Sequence, residues 1–189
     1  MEPVESFKSF LLFSFIISTL AGSSMVWKGP KDKTKSVSFH AATAKKGTYM
    51  LYATAFITAT ILFYLFCLYW FIPTLQLPTS FTFLLTLMSL LLVLTALIPE
   101  SGEWIKLHAL LAYGFAFLMM ILLFFVLTAQ TVSLFARIIS GITCGWMTIV
   151  WYLYFFSSHK KKVASQYLFY QSSYVILFFL SILAATYIR

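Results

Sequence analysis

Charge is what this sequence has least of. Only 10% of its 189 residues are Asp, Glu, Lys or Arg, and only five are acidic. A soluble domain is about a quarter charged. With 61% of residues hydrophobic, a soluble fold of this size has no interior large enough to hide its apolar surface. Lipid is therefore the solvent expected around most of the chain. Strand-like alternation of apolar and polar residues is missing too, which argues against an outer-membrane barrel. Cysteine is scarce: Cys67 and Cys144 both lie inside apolar runs and read as small hydrophobes rather than a disulfide. No Asp, Glu, Lys or Arg sits at the centre of any run, which speaks against a proton or ion pump and leaves no lysine for a retinal Schiff base. Haem held between two histidines is also unexpected, because only His108 lies near a span.

What is there is a series of six long apolar runs. The expected spans are 8–27, 48–72, 81–98, 107–129, 135–156 and 166–188, each at or near the ~20 residues a bilayer core requires. Pro73 is expected to close the second, and Pro78 and Pro99 to bracket the third. Trp27, Trp70, Trp104 and Trp151 fall near expected span ends, where an interfacial aromatic belt belongs. Lys8 ahead of the first run, and the small residues Ala21 to Ser24 after it, resemble a secretory leader. Glu2 and Glu5 spoil the positive start such a leader has, so a retained span is expected. The fold class is thus an all-α polytopic integral membrane protein, a six-transmembrane-helix bundle forming a single domain over 1–189.

Six spans place loops alternately on two sides. The loops after spans one, three and five carry ten of the thirteen basic residues and a net +7, against +1 on the other side. Basic residues in short loops stay cytoplasmic, so these loops are expected inside and both termini outside. Topology accounts for the positive charge, and nucleic acid is not an expected partner. Membrane lipids are, since basic loops lie against anionic headgroups.

All three histidines, His40, His108 and His159, fall on that same side, as do Glu100 and Glu103. The stretch LIPESGEWIKLH, residues 97–108, concentrates the question. Pro99 stops span three and frees Glu100 to turn back over the bundle, while His108 enters span four. Glu103 is five residues from His108, about 140° away round a helix, and reads as a first-turn acid facing the helix dipole, with Ser101 as N-cap. A histidine at the edge of a bilayer is costly unless it faces protein or water. Glu100 and His108 are therefore expected to line one polar niche, with Ser38, His40 and Tyr113 as further ligand-binding candidates. No firm catalytic residue emerges, and His108 and Glu100 are the candidates for one. A Ser–His–acid hydrolase would have only Ser38 or Ser101 as nucleophile, and no nucleophile-elbow motif supports either. His40 and His159 sit in basic loops and read as solvated. With no HxxxH or HxxE spacing, neither a metal site nor a cofactor is expected. Gly141 and Gly145 form a small-xxx-small pair suited to close helix packing, within the bundle or between copies. Gln171-Ser172-Ser173 reads as glue between helices.

Pro99-Glu100, then His108, then the aromatic segment Phe115 to Phe117 and Gln130-Thr131, resemble the pattern of the DRAM/FRAG/Sfk-type six-helix membrane proteins and of the related bacterial membrane domain of unknown function. Length and span layout are similar across the whole chain. Ser36-Val37-Ser38-Phe39-His40 stands where that family carries a Ser and an acidic or Gly segment, here without the acid. The resemblance implies a link to lipid organisation or remodelling.

The expected role is therefore lipid-associated: binding, organising or remodelling membrane lipid at a niche formed by loops 28–46, 99–106 and 157–165. A membrane-embedded enzyme acting on a lipid headgroup, with His108 as general base, is the alternative from a second class, and a structural subunit of a membrane complex that from a third. The balance leans away from an enzyme. The orientation is testable with single cysteines at Lys33 and Lys161, on a background lacking Cys67 and Cys144. Both are expected to stay unlabelled by an impermeant thiol reagent in intact cells; labelling there reverses the orientation.

Overall fold

The computed structural model describes residues 4–28, 34–156 and 166–188. Among them every regular element is helical. A 3-10 turn, Glu5–Phe7, leads into α1 (Lys8–Lys28); α2 (Val37–Ala42) is short; α3 (Lys46–Phe66) passes through a π-helical turn, Cys67–Phe71, into α4 (Ile72–Leu75). There follow α5 (Thr79–Leu97), a 3-10 turn Gly102–Trp104, α6 (Ile105–Thr128), α7 (Leu134–Phe155) and α8 (Tyr167–Tyr187). Six helical stretches are long and apolar enough to cross a bilayer: Glu5–Met25, Lys46–Leu75, Thr79–Leu97, Gly102–Thr128, Leu134–Phe155 and Tyr167–Tyr187. They fall where the six apolar runs place them, with shifted ends.

One of the shifts is at Pro73. The second stretch runs past it to Leu75, and Gln76 ends it in the left-handed region at φ 52°. A proline inside a helix removes one N–H and crowds the carbonyl four residues back, which here belongs to Tyr69. The π-helical turn widens the helix just ahead of Pro73 and relieves the crowding. The backbone N–H of Val4 donates to the Tyr69 carbonyl at 2.9 Å, taking the role of the missing donor. The N-terminal segment is fastened along the same turn. Phe7 packs on the Tyr69 ring at 4.8 Å, Trp70 Nε1 donates to Glu5 Oε1 at 3.0 Å, and Lys8 pairs with Glu5 and lies over the Trp70 ring. Trp70 is therefore fully buried and not part of an interfacial belt, whereas Trp104 is exposed.

The chain divides into two compact units. One reaches to Leu118, apart from the short segment before Val37; the other runs from Met119 onward. In the first, α1 packs along α3 and α3 along α5. The α1–α3 contact is close enough for the buried Ser14 Oγ to donate to the Ala59 carbonyl at 2.8 Å. Met25, Ala41 and Tyr52 form an apolar core against which Val37, Tyr49 and Phe56 pack. The helix α2 is thereby held between α1 and α3.

In the second unit α7 packs on α8 through a ladder of polar contacts. Ser181 Oγ donates to Thr143 Oγ1 at 2.8 Å, Trp146 Nε1 to Ser173 Oγ at 3.1 Å, and Trp151 Nε1 to the Tyr174 hydroxyl at 3.2 Å. Interhelical bonds of this kind contribute on the order of 0.6–2 kcal/mol each in lipid. Arg137 Nε donates to the Leu127 carbonyl at 3.0 Å and closes the C-terminus of α6.

The two glycines of α7 differ. A Cβ on Gly141 would lie 3.5 Å from Leu127 Cδ1, while one on Gly145 would meet nothing within 4 Å. Among the described residues, then, Gly141 lies against a neighbour and Gly145 does not, so close packing within the bundle holds for Gly141, and the packing expected of Gly145 would be with another copy. A leucine at 141 must displace Leu127; one at 145 has room. Gly141→Leu is expected to cost roughly 1–3 kcal/mol in thermal unfolding in detergent, and Gly145→Leu to leave the transition in place. Equal effects of the two would contradict this packing.

Candidate functional site

The site is built where α5 ends and α6 begins. A proline disfavours the α-helical conformation in the residue before it. Ile98 accordingly leaves the helix with extended dihedrals, φ −95° and ψ 113°. Its N–H still closes the helix on the Leu94 carbonyl at 2.9 Å, but its own carbonyl turns away from the helical ladder. His108, in the first turn of α6, places Nδ1 2.6 Å from that oxygen. Tyr49, in the first turn of α3, donates its hydroxyl to the Ala96 carbonyl at 2.9 Å. That bond satisfies another end-of-helix acceptor and ties the end of α5 to the start of α3.

The second half of the site comes from α2. Val37 and Ala41, four apart, share its apolar side, and Ser38 is turned towards the end of α5. Ser38 Oγ lies 2.7 Å from Glu100 Oε2 and 3.0 Å from His108 Nε2. Glu100 Oε2 is 3.6 Å from the same Nε2. Ser38 and His108 are buried, at 7% and 2% exposure. Glu100 is the open edge, its side chain 24% exposed. The buried Tyr52 is within electrostatic reach of Glu100.

Hydrogen-bond accounting fixes part of the protonation. A carbonyl oxygen only accepts, so His108 Nδ1 carries a hydrogen. The Ser38 hydroxyl has one hydrogen and two close neighbours. When it points at Glu100, Nε2 must carry a second hydrogen and donate to Oγ, which makes an imidazolium beside a carboxylate. When it points at Nε2, the 2.7 Å contact requires the hydrogen on Glu100. Both arrangements are electrically neutral, and both satisfy the contacts among Ser38, Glu100, His108 and the Ile98 carbonyl. They differ by the passage of a proton across the Ser38 hydroxyl. Mutual bonding without net charge is the form in which such groups tolerate burial.

Of the other sequence candidates, His40 lies on α2 and is buried, at 2% exposure, not solvated as its basic loop suggested. The cause is the insertion of α2 against α1 and α3, which encloses both sides of a six-residue helix. Tyr113 is half-buried on α6, five residues and so about 140° round the helix from His108. Glu103 and Lys106 are exposed. Ser101 flanks the 3-10 turn without making a side-chain capping bond, because Gly102 at φ 57° turns the backbone away before α6 starts. His159 lies outside the described residues. Among the described residues no three His, Cys, Asp or Glu side chains converge as a metal site. The parts the sequence did not reveal are the Ile98 carbonyl, Tyr49 and Tyr52. Pro99 was the available signal for the first, and the spacing of two tyrosines at the start of a span for the others.

Comparison with family models, with curated proteins and with solved structures finds no match for this chain.

The network makes a stability prediction. His108→Ala leaves the Ile98 carbonyl and Ser38 short of a partner, at a cost of about 2 kcal/mol. Glu100→Ala and His108→Ala should be non-additive, with a coupling of about 0.5–3 kcal/mol, whereas Glu103→Ala should stay within about 0.5 kcal/mol of the parent. Thermal unfolding of the singles and the double variant in detergent checks this; strict additivity would mean that the three side chains do not act as one network.

Proposed function

We propose that this chain is an integral membrane protein that holds the polar part of a membrane lipid at Ser38, Glu100 and His108. The observation that carries the reading is a buried, mutually bonded polar group at the ends of helices apolar enough to span a bilayer. That level of a spanning bundle is where headgroups and ester linkages lie. Ionisable groups are retained at such a depth where they do work. Glu100 forms the edge a headgroup would meet. Lys45, Lys46 and Lys106 are exposed at the same helix ends and suit a lipid phosphate. The basic loops face the cytoplasm and both termini lie outside, on the distribution of positive charge. The resemblance to six-helix proteins linked with lipid organisation points the same way.

A second reading is an enzyme acting on a lipid, with His108 as general base. It is favoured by the 3.0 Å contact between His108 Nε2 and Ser38 Oγ, which is the reach such a base needs.

Native mass spectrometry of protein extracted in mild detergent tests the binding reading. The parent chain is expected to retain a phospholipid, and Glu100→Ala and Lys106→Glu to lower the retained fraction several-fold. A parent chain that carries no lipid, or variants that retain as much as the parent, would sink the reading and favour a bare structural subunit.

A further inference from the structure

Resting on the reading that a lipid reaches this cluster, we propose that Ser38 is a nucleophile, and that the site transfers or hydrolyses the acyl group of a membrane-lipid ester.

Nucleophilic catalysis by a hydroxyl needs a proton acceptor within hydrogen-bond reach and a third group that orients the acceptor. All three are present. The acceptor is His108 Nε2, 3.0 Å from Ser38 Oγ. The orienting group is the Ile98 carbonyl, 2.6 Å from Nδ1, which fixes the hydrogen on Nδ1 and so aims the other nitrogen at Ser38. Pro99 holds that carbonyl out of the helix, so the orientation is built into the backbone. Glu100 Oε2, 2.7 Å from the same hydroxyl, is a second acceptor. A bond to either neighbour alone would satisfy the single hydroxyl hydrogen; Ser38 is placed between two. The carboxylate sits on the serine rather than behind the imidazole, so the arrangement differs from a Ser–His–acid triad, with a main-chain carbonyl in the acid's place.

The proton balance closes for both neutral arrangements of the cluster. In one, His108 is neutral and Glu100 protonated, and the Oγ hydrogen passes to Nε2. In the other, His108 is an imidazolium and Glu100 a carboxylate, and the hydrogen passes to Oε2. Each leaves both neighbours protonated as the Oγ–acyl bond forms. The ester carbon–oxygen bond then breaks, and one neighbour returns its proton to the leaving alkoxide, which departs as an alcohol. In the second half, water or an acceptor alcohol gives a proton to that neighbour and its oxygen to the acyl carbon. Oγ leaves and recovers its hydrogen. No oxidant or reductant is needed. The substrate class follows from position: the ends of apolar helices adjoin the layer where acyl ester carbonyls of glycerolipids lie, and Glu100 leaves one side of the cluster open.

The test uses the full-length chain in detergent with an alkyl fluorophosphonate, which phosphonylates an activated serine with loss of fluoride. Peptide mass spectrometry is expected to place the adduct on Ser38. The labelling rate should fall by about 10²-fold or more in His108→Gln, in keeping with loss of a general base, with the thermal transition recorded for each variant. The labelled position in the parent chain decides the matter where a variant does not fold. A folded parent that takes no label at Ser38, or a folded His108→Gln chain that labels at the parent rate, overturns the proposal. Lipid retained by a parent chain that does not label leaves the binding reading standing and removes the nucleophile; loss of both lipid and label removes both.

Discussion

The carbonyl of Ile98 is the point on which the candidate site depends. Proline at 99 favours the extended conformation in which Ile98 leaves the helix, so its oxygen has no helical partner and becomes an acceptor for the His108 ring. That single bond sets the tautomer of His108, aims Nε2 at Ser38 and joins the end of α5 to the first turn of α6. Tyr49 adds a brace by taking the Ala96 carbonyl just before the bend. The site thus rests on backbone geometry as much as on side chains, which is the arrangement that holds polar groups in one place.

Pro73, embedded in a helix, poses a related problem at a different end of the chain. Pro73 leaves Tyr69 without its usual donor, and the main chain at Val4 supplies one. Around that contact Glu5, Phe7 and Lys8 collect on Tyr69 and Trp70. In both places a carbonyl next to a proline lacks its helical partner, and a group from outside that helix meets it. At Tyr69 the donor is backbone and the result is a structural fastening. At Ile98 the donor is a titratable ring in contact with a serine and a carboxylate, and the result is a site capable of proton chemistry.

Much of the architecture was legible in the sequence, because membrane-length helices announce themselves by length and apolarity alone. Glu103 could be set aside on helical spacing, and it is exposed. The pairing of Glu100 with His108 followed from Pro99, which stops a helix wherever it cannot be accommodated. The same rule failed at Pro73, where a π-helical turn and a distant N–H accommodate it. It failed at Trp70 for a related reason: aromatic position along a span says where a ring lies in depth, not whether another segment covers it.

By itself the sequence determined the helices, their approximate ends, the concentration of basic residues in alternate loops and the coincidence of Glu100 and His108 at one helix junction. Each of these follows from local composition or from the period of a helix. The tertiary structure decided what those groups meet. Ser38 comes to His108 across 70 residues and to Glu100 across 62, and His40 is buried rather than solvated, because α2 folds in between α1 and α3. No periodicity encodes that insertion. It depends on Val37 and Ala41 finding the apolar surface of Met25 and Tyr52, a match between residues far apart in the chain that only the packed fold brings together.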